Sequence, residues 1–287
     1  MSDLMNKLDD WRPDAVFYRF TTYYPSISKM MNKYPFVLEI NTDDIQEYKL
    51  KFGFFKNFYH RTFRGVMLKK AKGMITVTRD LIDKFDEFEC PKLAVANSID
   101  LSNFEEIPAP SNDRPRLVFI GTPNRAWHGV RKILDFARLR PQYDFDLIGP
   151  KSDDFDQSLP PNLYAHGYMQ VEEYLPIMRR ADVAIGSLAF HMIPLEEACP
   201  LKVREYLAYG IPTILPYMDT DFIDNQHSLV LQIPNTENNL QGSAEILDDF
   251  ILKVKGKRIN RADIQFIDSS FKEKEKFEFI RSIFPDN

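Results

Sequence analysis

The sequence predicts an α/β protein built from two parallel-sheet domains of unequal size. Three observations carry this reading. Short runs of β-branched and aromatic residues alternate with longer segments of helical period, the pattern of a parallel sheet covered on both faces. The alternation stops at residues 107–115, "IPAPSNDRP", where three prolines and no periodicity mark a linker, and then it restarts. At 287 residues the chain is also longer than a usual single domain.

The elements follow in order. The first domain, residues 1–108, contains strands at "AVFYRF", "FVLEIN", "MITVT" and "LAVANS". They make a small sheet whose first strand begins almost at the chain start, so this domain is expected to be reduced or truncated. After the linker come "RLVFIG", a helix over 130–139, "DFDLIG", "LYAHG", a helix over 171–180 and "DVAIGSL". A helix over 200–209, "PTILPY" and "SLVLQI" complete a second α/β domain at 109–270. "AEILDDFILKV" reads as a further helix. The last, in 271–287, carries Phe271, Phe277 and Ile280 or Phe284 near one side and is expected to return to the first domain.

Composition narrows the class. With 44% hydrophobic and 13% aromatic residues the chain is an ordered, water-soluble protein rather than a disordered one. Its net charge of −5 argues against nucleic-acid binding, although a local basic patch is compatible with it. Cys90 and Cys199 lie far apart without zinc or disulfide spacing, which fits a reducing, cytoplasmic setting. The N-terminus "MSDLMNKLDDWRPD" has no apolar core of a signal peptide, and no later run approaches the roughly 20 apolar residues of a membrane span.

The chemistry concentrates in "EEACPLKVREYLAYGIP", residues 196–212. Pro200 suits the first turn of a helix and Gly210 the residue just past its end. Val203 and Leu207, four apart, can pack on the sheet, while Lys202 and Glu205, three apart, share another face. A helix N-terminus offers unpaired amides and a positive dipole end, so an anion is its natural partner. A lysine at that end is mildly unfavourable by itself and is understood more readily if a phosphate sits there. Glu197 and Glu205 are acceptors suited to hydroxyl groups. The bland alternative is an exposed helix with an internal Lys202–Glu205 pair. Because the segment follows a strand of a parallel sheet, however, its N-terminus is placed at the carboxyl edge, where such folds bind ligands.

These residues resemble the retaining glycosyltransferases of family 4, which have the GT-B fold of two Rossmann-like domains facing a cleft. The resemblance rests on Glu197, seven intervening residues, Glu205 and "LAYGIP". It extends to "GMITVTRDLIDKF" before the linker, "KLAVANSID", and "RLVFIGTPNRAWHG" opening the donor domain. It implies a hexosyl transfer from a nucleoside-diphosphate sugar to a glycan or lipid-linked acceptor, in polysaccharide or glycoconjugate assembly, without an obligatory cofactor or metal. "DTD" at 219–221 matches a metal motif in letters only and reads as a loop feature.

By the same resemblance Glu205 holds the ribose, Glu197 or its neighbour Glu196 the transferred sugar, and Lys202 with the Leu201 amide the diphosphate. Gly121 would let backbone approach the ligand closely. Relatives place an arginine after this glycine and a lysine further on, where this chain has Thr122 and His128; Arg125 would then reach the diphosphate, with His128 as a further donor. Gly167 and Tyr168 are candidates for the base. Glu197, Lys202 and Arg125 are the catalytic candidates.

On the acceptor side, Asn41, Thr42 and Asp43 end a strand and either face the cleft or cap a helix. The segment "KFGFFKNFYHRTFRGVMLKKAKG" interleaves aromatics with bases, as a core helix with a basic face or as a peripheral contact with the inner membrane surface. The alternative to a transferase is a reduced relative that binds nucleotide-sugar without transferring it, or that needs a partner chain to supply the missing N-terminal portion.

Overall fold

The computed structural model describes residues 2–123, 125–193 and 195–284. The chain divides into two compact units, residues 1–96 with 270–287, and residues 97–269. In chain order the first part runs α1 (Ser2–Trp11), β1 (Val16–Arg19), α2 (Pro25–Lys33), β2 (Phe36–Ile40), α3 (Asp44–Lys51), α4 (Phe54–Leu68), β3 (Gly73–Thr76), α5 (Arg79–Asp83) and β4 (Lys92–Ala94). Then follow β5 (Arg116–Ile120), α6 (Val130–Leu139), β6 (Asp144–Ile148), β7 (Leu163–Gly167), α7 (Val171–Arg180), β8 (Val183–Ile185), β9 (Glu197–Ala198) and α8 (Leu201–Ala208). The chain continues through β10 (Thr213–Leu215), β11 (Met218–Asp219), β12 (Val230–Gln232), α9 (Asn239–Gly242), α10 (Ala244–Val254) and α11 (Ser269–Ile283). Among the described residues no helix is long and apolar enough to cross a membrane.

The first unit is a four-stranded parallel sheet in the order β1-β2-β3-β4. Its central strands are almost continuously buried, as parallel strands covered on both faces must be. Phe36, Leu38, Ile40 and Met74 pack on one face with Ile27 and Met30 of α2 and Met67 and Leu68 of α4. On the other face Val37, Ile75 and Val95 meet Phe279, Ile280, Ile283 and Phe284 at the end of α11. Gly73 makes that approach possible, because a Cβ there would lie 2.4 Å from Ile283 Cδ1. Phe271 and Phe277, expected on the packing side, are instead more than half exposed. The residues that pack are spaced i, i+1, i+4 and i+5, a stripe that turns both of those rings outward.

The second unit has six parallel strands in the order β12-β10-β8-β5-β6-β7. Counted from its own first strand this is the Rossmann order, in which the winding direction reverses between β5 and β8. Alternate side chains serve the two faces. Val118, Ile148, Ala184 and Leu215 pack with Ile177 and Met178 of α7 and Val203, Tyr206 and Leu207 of α8. Leu117, Phe119, Phe145, Leu147, Val183 and Ile185 pack with Ile133 and Phe136 of α6 and Leu247, Ile251 and Val254 of α10.

Every strand expected from the sequence is present, and two short ones are additional. β9 and β11 pair in parallel as a separate two-stranded sheet. The division between units falls after Ala96, so the proline-rich segment 107–115 lies inside the second unit rather than at the seam. The reason is packing and pairing: Ile99 bridges to Asp268, and Leu101 and Ile107 are buried in the second unit's core.

Of the "DTD" stretch, Asp219 ends β11, and Thr220 and Asp221 lie in the turn that follows it. Asp219 and Asp221 are buried around Arg204 of α8. Arg204 Nη1 and Nη2 each donate to Asp219 at 2.9 Å, Nη2 lies 3.0 Å from Asp221 Oδ2, and Nε donates to Asn97 O at 2.7 Å. This fully buried cluster ties α8 to the small sheet that carries Glu197. Removing the guanidinium leaves two buried carboxylates without their cation, so Arg204→Ala is expected to lose about 3–5 kcal/mol of stability. The urea midpoint reads this directly, and an unchanged midpoint contradicts it.

Candidate functional site

The site is assembled at the carboxyl ends of β5 and β8, on either side of the winding reversal. Chain leaving β5 enters the loop 121–129, which is fastened to the loop after β8 by Leu188 N to His128 O and Ala189 N to Trp127 O, both 3.1 Å. Gly121 opens this loop. A Cβ on Gly121 would lie 2.6 Å from His128 Nδ1 and equally close to the Phe119 ring. Gly149, after β6, has φ +106°, and a Cβ there would fall 1.9 Å from Gly121 O. Two glycines thus let adjacent strand ends approach more closely than any side chain permits.

His128 is buried and donates Nδ1–H to Thr122 O at 3.1 Å. Burial, with the Lys202 charge behind it, pulls its pKa down to about 3. A neutral ring whose Nδ1 proton is already engaged presents a lone pair at Nε2. Donation from Nε2 to an anion needs the ring protonated, which burial opposes in the ligand-free site.

Helix α8 begins one residue later than expected, with Pro200 at its N-cap and Gly210 in the left-handed conformation past its end. Its first intrahelical bond is from Val203 N to Pro200 O at 3.0 Å, so the Leu201 and Lys202 amides precede the ladder. Leu201 is exposed. The helix is pinned to the strand end by the Ile120 N–H, which donates to Tyr206 Oη at 2.6 Å.

Lys202 does not pair with Glu205. Its Nζ is sealed from solvent 4.0 Å from the centre of the Phe119 ring and has no hydrogen-bond partner among the described residues. Burial drops its pKa to about 7. Glu205, on the same helix, accepts from Tyr174 Oη of α7 at 2.5 Å through Oε1. Burial raises the Glu205 carboxyl above its ordinary value, with the Tyr174 hydrogen bond opposing. Glu197 on β9 is only 1% exposed, whereas Glu196 is exposed.

Other candidates are less closely gathered. Arg125 is exposed, its guanidinium 5.3 Å from the Trp127 ring centre, although its charge reaches His128. With Thr122 and Lys132 it lines a cavity of about 500 Å³ that Lys202, Glu197 and Glu205 do not line. Gly167 takes φ +74° and accepts Gly149 N at 2.7 Å, and Tyr168 beyond it is exposed. Asn41 and Asp43 belong to the first unit. Asp43 caps α3 by accepting Gln46 N at 3.1 Å, while Asn41 Oδ1 is buried without a partner among the described residues.

Sequence reasoning did not find Tyr174, Tyr206 or the Arg204 cluster. Tyrosines at helix positions carry no local signal of the bond they make, and the carboxylates for Arg204 come from a two-residue strand and the turn after it, too short to show a period. Gly149 was legible as a glycine ending a strand.

The fold is shared with solved glycosyltransferases. A glycosyltransferase from Rickettsia africae superposes with a TM-score of 0.70 at 12% identity, over 100% of this chain and 81% of that one. Sucrose-phosphate synthase from Thermosynechococcus elongatus gives 0.68 at 12%, over 100% and 77%. Anabaena HepE, solved in complex with UDP-glucose, gives 0.62 at 13%, over 98% and 81%. At these identities the likeness is one of fold, the two Rossmann-like domains of GT-B. No protein-family model matches the chain, and no curated protein matches it by sequence.

The Lys202 environment makes a stability prediction. Its folded pKa of about 7 lies below the ordinary 10.5, so between these values the unfolded chain binds a proton that the folded chain does not. Stability from this group therefore rises with pH across that window, by at most about 1.4 kcal/mol per pH unit, and the full burial penalty is present below it. Lys202→Met is expected to be more stable than the parent near neutrality and to lose this rise. Urea midpoints across the window test it, and parallel pH profiles for the two proteins contradict it.

Proposed function

We propose that the chain is a retaining glycosyltransferase that moves a sugar from a nucleoside-diphosphate sugar to a glycan or lipid-linked acceptor. The observation that carries this reading is the unpartnered Lys202 ammonium at the N-terminus of α8, with Glu197 and Glu205 fixed on either side of it in sequence. An amine in that position wants an anion, and a diphosphate supplies one together with the hydroxyl-bearing groups that carboxylates bind.

In this reading Lys202 and the Leu201 amide receive the diphosphate, the loop that Gly121 opens borders it while the glycine itself makes room for His128 and Phe119, and Arg125 closes on the phosphates from that loop. Glu205 keeps Oε2 for the ribose hydroxyls while Tyr174 occupies Oε1. Glu197 holds hydroxyls of the transferred sugar, and Gly167 and Tyr168 border the base. As the bond from the anomeric carbon to the diphosphate oxygen breaks, its electron pair leaves with the diphosphate. An acceptor oxygen then forms the new bond on the same face of the sugar. The proton of that hydroxyl passes to a phosphate oxygen of the leaving group, so positive donors carry most of the stabilisation. Asn41 lies in the unit assigned to the acceptor. The setting is cytoplasmic, in polysaccharide or glycoconjugate assembly.

UDP-glucose, the ligand of HepE, is the first donor to try, followed by the guanosine and adenosine analogues. Calorimetry should show binding of one of them, weakened roughly a hundredfold by Lys202→Met. Because the free site needs Lys202 protonated, kcat/KM for the donor should fall about tenfold per pH unit above pH 7, and Lys202→Met should abolish this limb. No binding of any of the three donors, or equal binding by the variant, overturns the reading.

A further inference from the structure

We propose that the amino-terminal end of α4 is a docking surface for an anionic lipid membrane. Phe54, Phe55 and Phe58 are 76%, 86% and 63% exposed. They form one cluster, with Phe54 in edge contact with Phe55 at 5.7 Å and stacked on Phe58 at 6.3 Å between ring centres. The helix is not loose: His60, Arg64, Met67 and Leu68 are buried, and Arg64 donates to both oxygens of Asp44, at 2.7 and 2.9 Å. A firmly held helix therefore presents three aromatic rings to solvent, which an isolated soluble chain has no reason to do.

Charge selects the occupant. From Tyr48 to Arg79 the sequence has nine lysines and arginines and no aspartate or glutamate, within a chain of net charge −5. Lys56 and Arg61 flank the rings and are exposed; among the described residues neither is in an ion pair. Lys56 lies with its Nζ 3.7 Å from the centre of the Phe52 ring. Aromatic rings seated at headgroup depth, with cations beside them, match a surface that is apolar beneath and negative above. A second copy of this chain would bring the same positive segment against itself, which disfavours a self-complementary contact. The later turns of α4 pack as a core helix, with His60, Arg64, Met67 and Leu68 buried, and the proposed surface is its first turn.

The surface lies beyond the transfer reaction and its test needs no nucleotide-sugar, so donor binding and membrane binding succeed or fail separately. Co-sedimentation is measured with vesicles of phosphatidylcholine alone and of phosphatidylcholine mixed with phosphatidylglycerol. The full chain is expected to bind the mixed vesicles at least about tenfold better than the neutral ones. Phe54→Ser, Phe55→Ser and Phe58→Ser combined should reduce that binding about tenfold or more, and Lys56→Glu with Arg61→Glu should remove the preference for the mixed vesicles. All five side chains are exposed, so unchanged thermal unfolding by circular dichroism should accompany these losses. Absence of binding to the mixed vesicles, equal binding by the serine variant, or a homodimer in sedimentation equilibrium that the serine variant dissolves overturns the proposal.

Discussion

Lys202 and Arg204 stand two residues apart on one helix and meet opposite fates, and the architecture of the candidate site depends on that contrast. Arg204 is fully buried with Asp219, Asp221 and a carbonyl to satisfy it. Lys202 has an equally sealed ammonium, with the face of Phe119 beside it and no acceptor among the described residues. Burial without a counter-charge disfavours the cation, which is why the Lys202 pKa falls to about 7. The satisfied cluster fixes the helix, and the unsatisfied amine is what the fixed helix holds ready.

The surroundings keep it that way. Gly121 and Gly149 bring two strand ends together, burial keeps His128 neutral while its Nδ1–H rests on the Thr122 carbonyl, and Tyr206 receives the last amide of β5. Each bond settles a polar group elsewhere and none supplies an acceptor to Lys202. Glu205 is treated likewise, with one oxygen taken by Tyr174. Such a site is disfavoured when dry and empty and is relieved by an anion that brings hydroxyls with it.

Much of this fold could be read from the sequence, because parallel strands buried on both faces produce compact apolar runs and their covering helices keep a clear period. α6, α7 and α10 start directly after Gly129, Gln170 and Ser243. The division after Ala96 was not legible, since Leu101 and Ile107 look like linker residues until their burial in the second core is known. The site was half legible. Spacing placed Lys202, Glu205 and Glu197 together, but it suggested a free charged face, and only tertiary packing shows the amine sealed and the carboxylate bonded. Asp43 followed its local alternative, a helix cap, and the "DTD" letters turned out to serve Arg204. Side chains whose partners lie far off in the chain leave no trace in local pattern.

A nucleotide-sugar transferase accounts for the sealed amine, the two acids, the glycine pair and the fold in one scheme. The amine is the element on which that scheme turns, and its ionisation can be followed without knowing the acceptor. Carbon NMR titration of the Lys202 side chain, free and with UDP, is the most direct measurement. The account predicts titration near pH 7 in the free protein and an upward move of at least roughly one unit when UDP is added. Titration at the ordinary lysine value, or a pKa near 7 that UDP leaves in place, would contradict it.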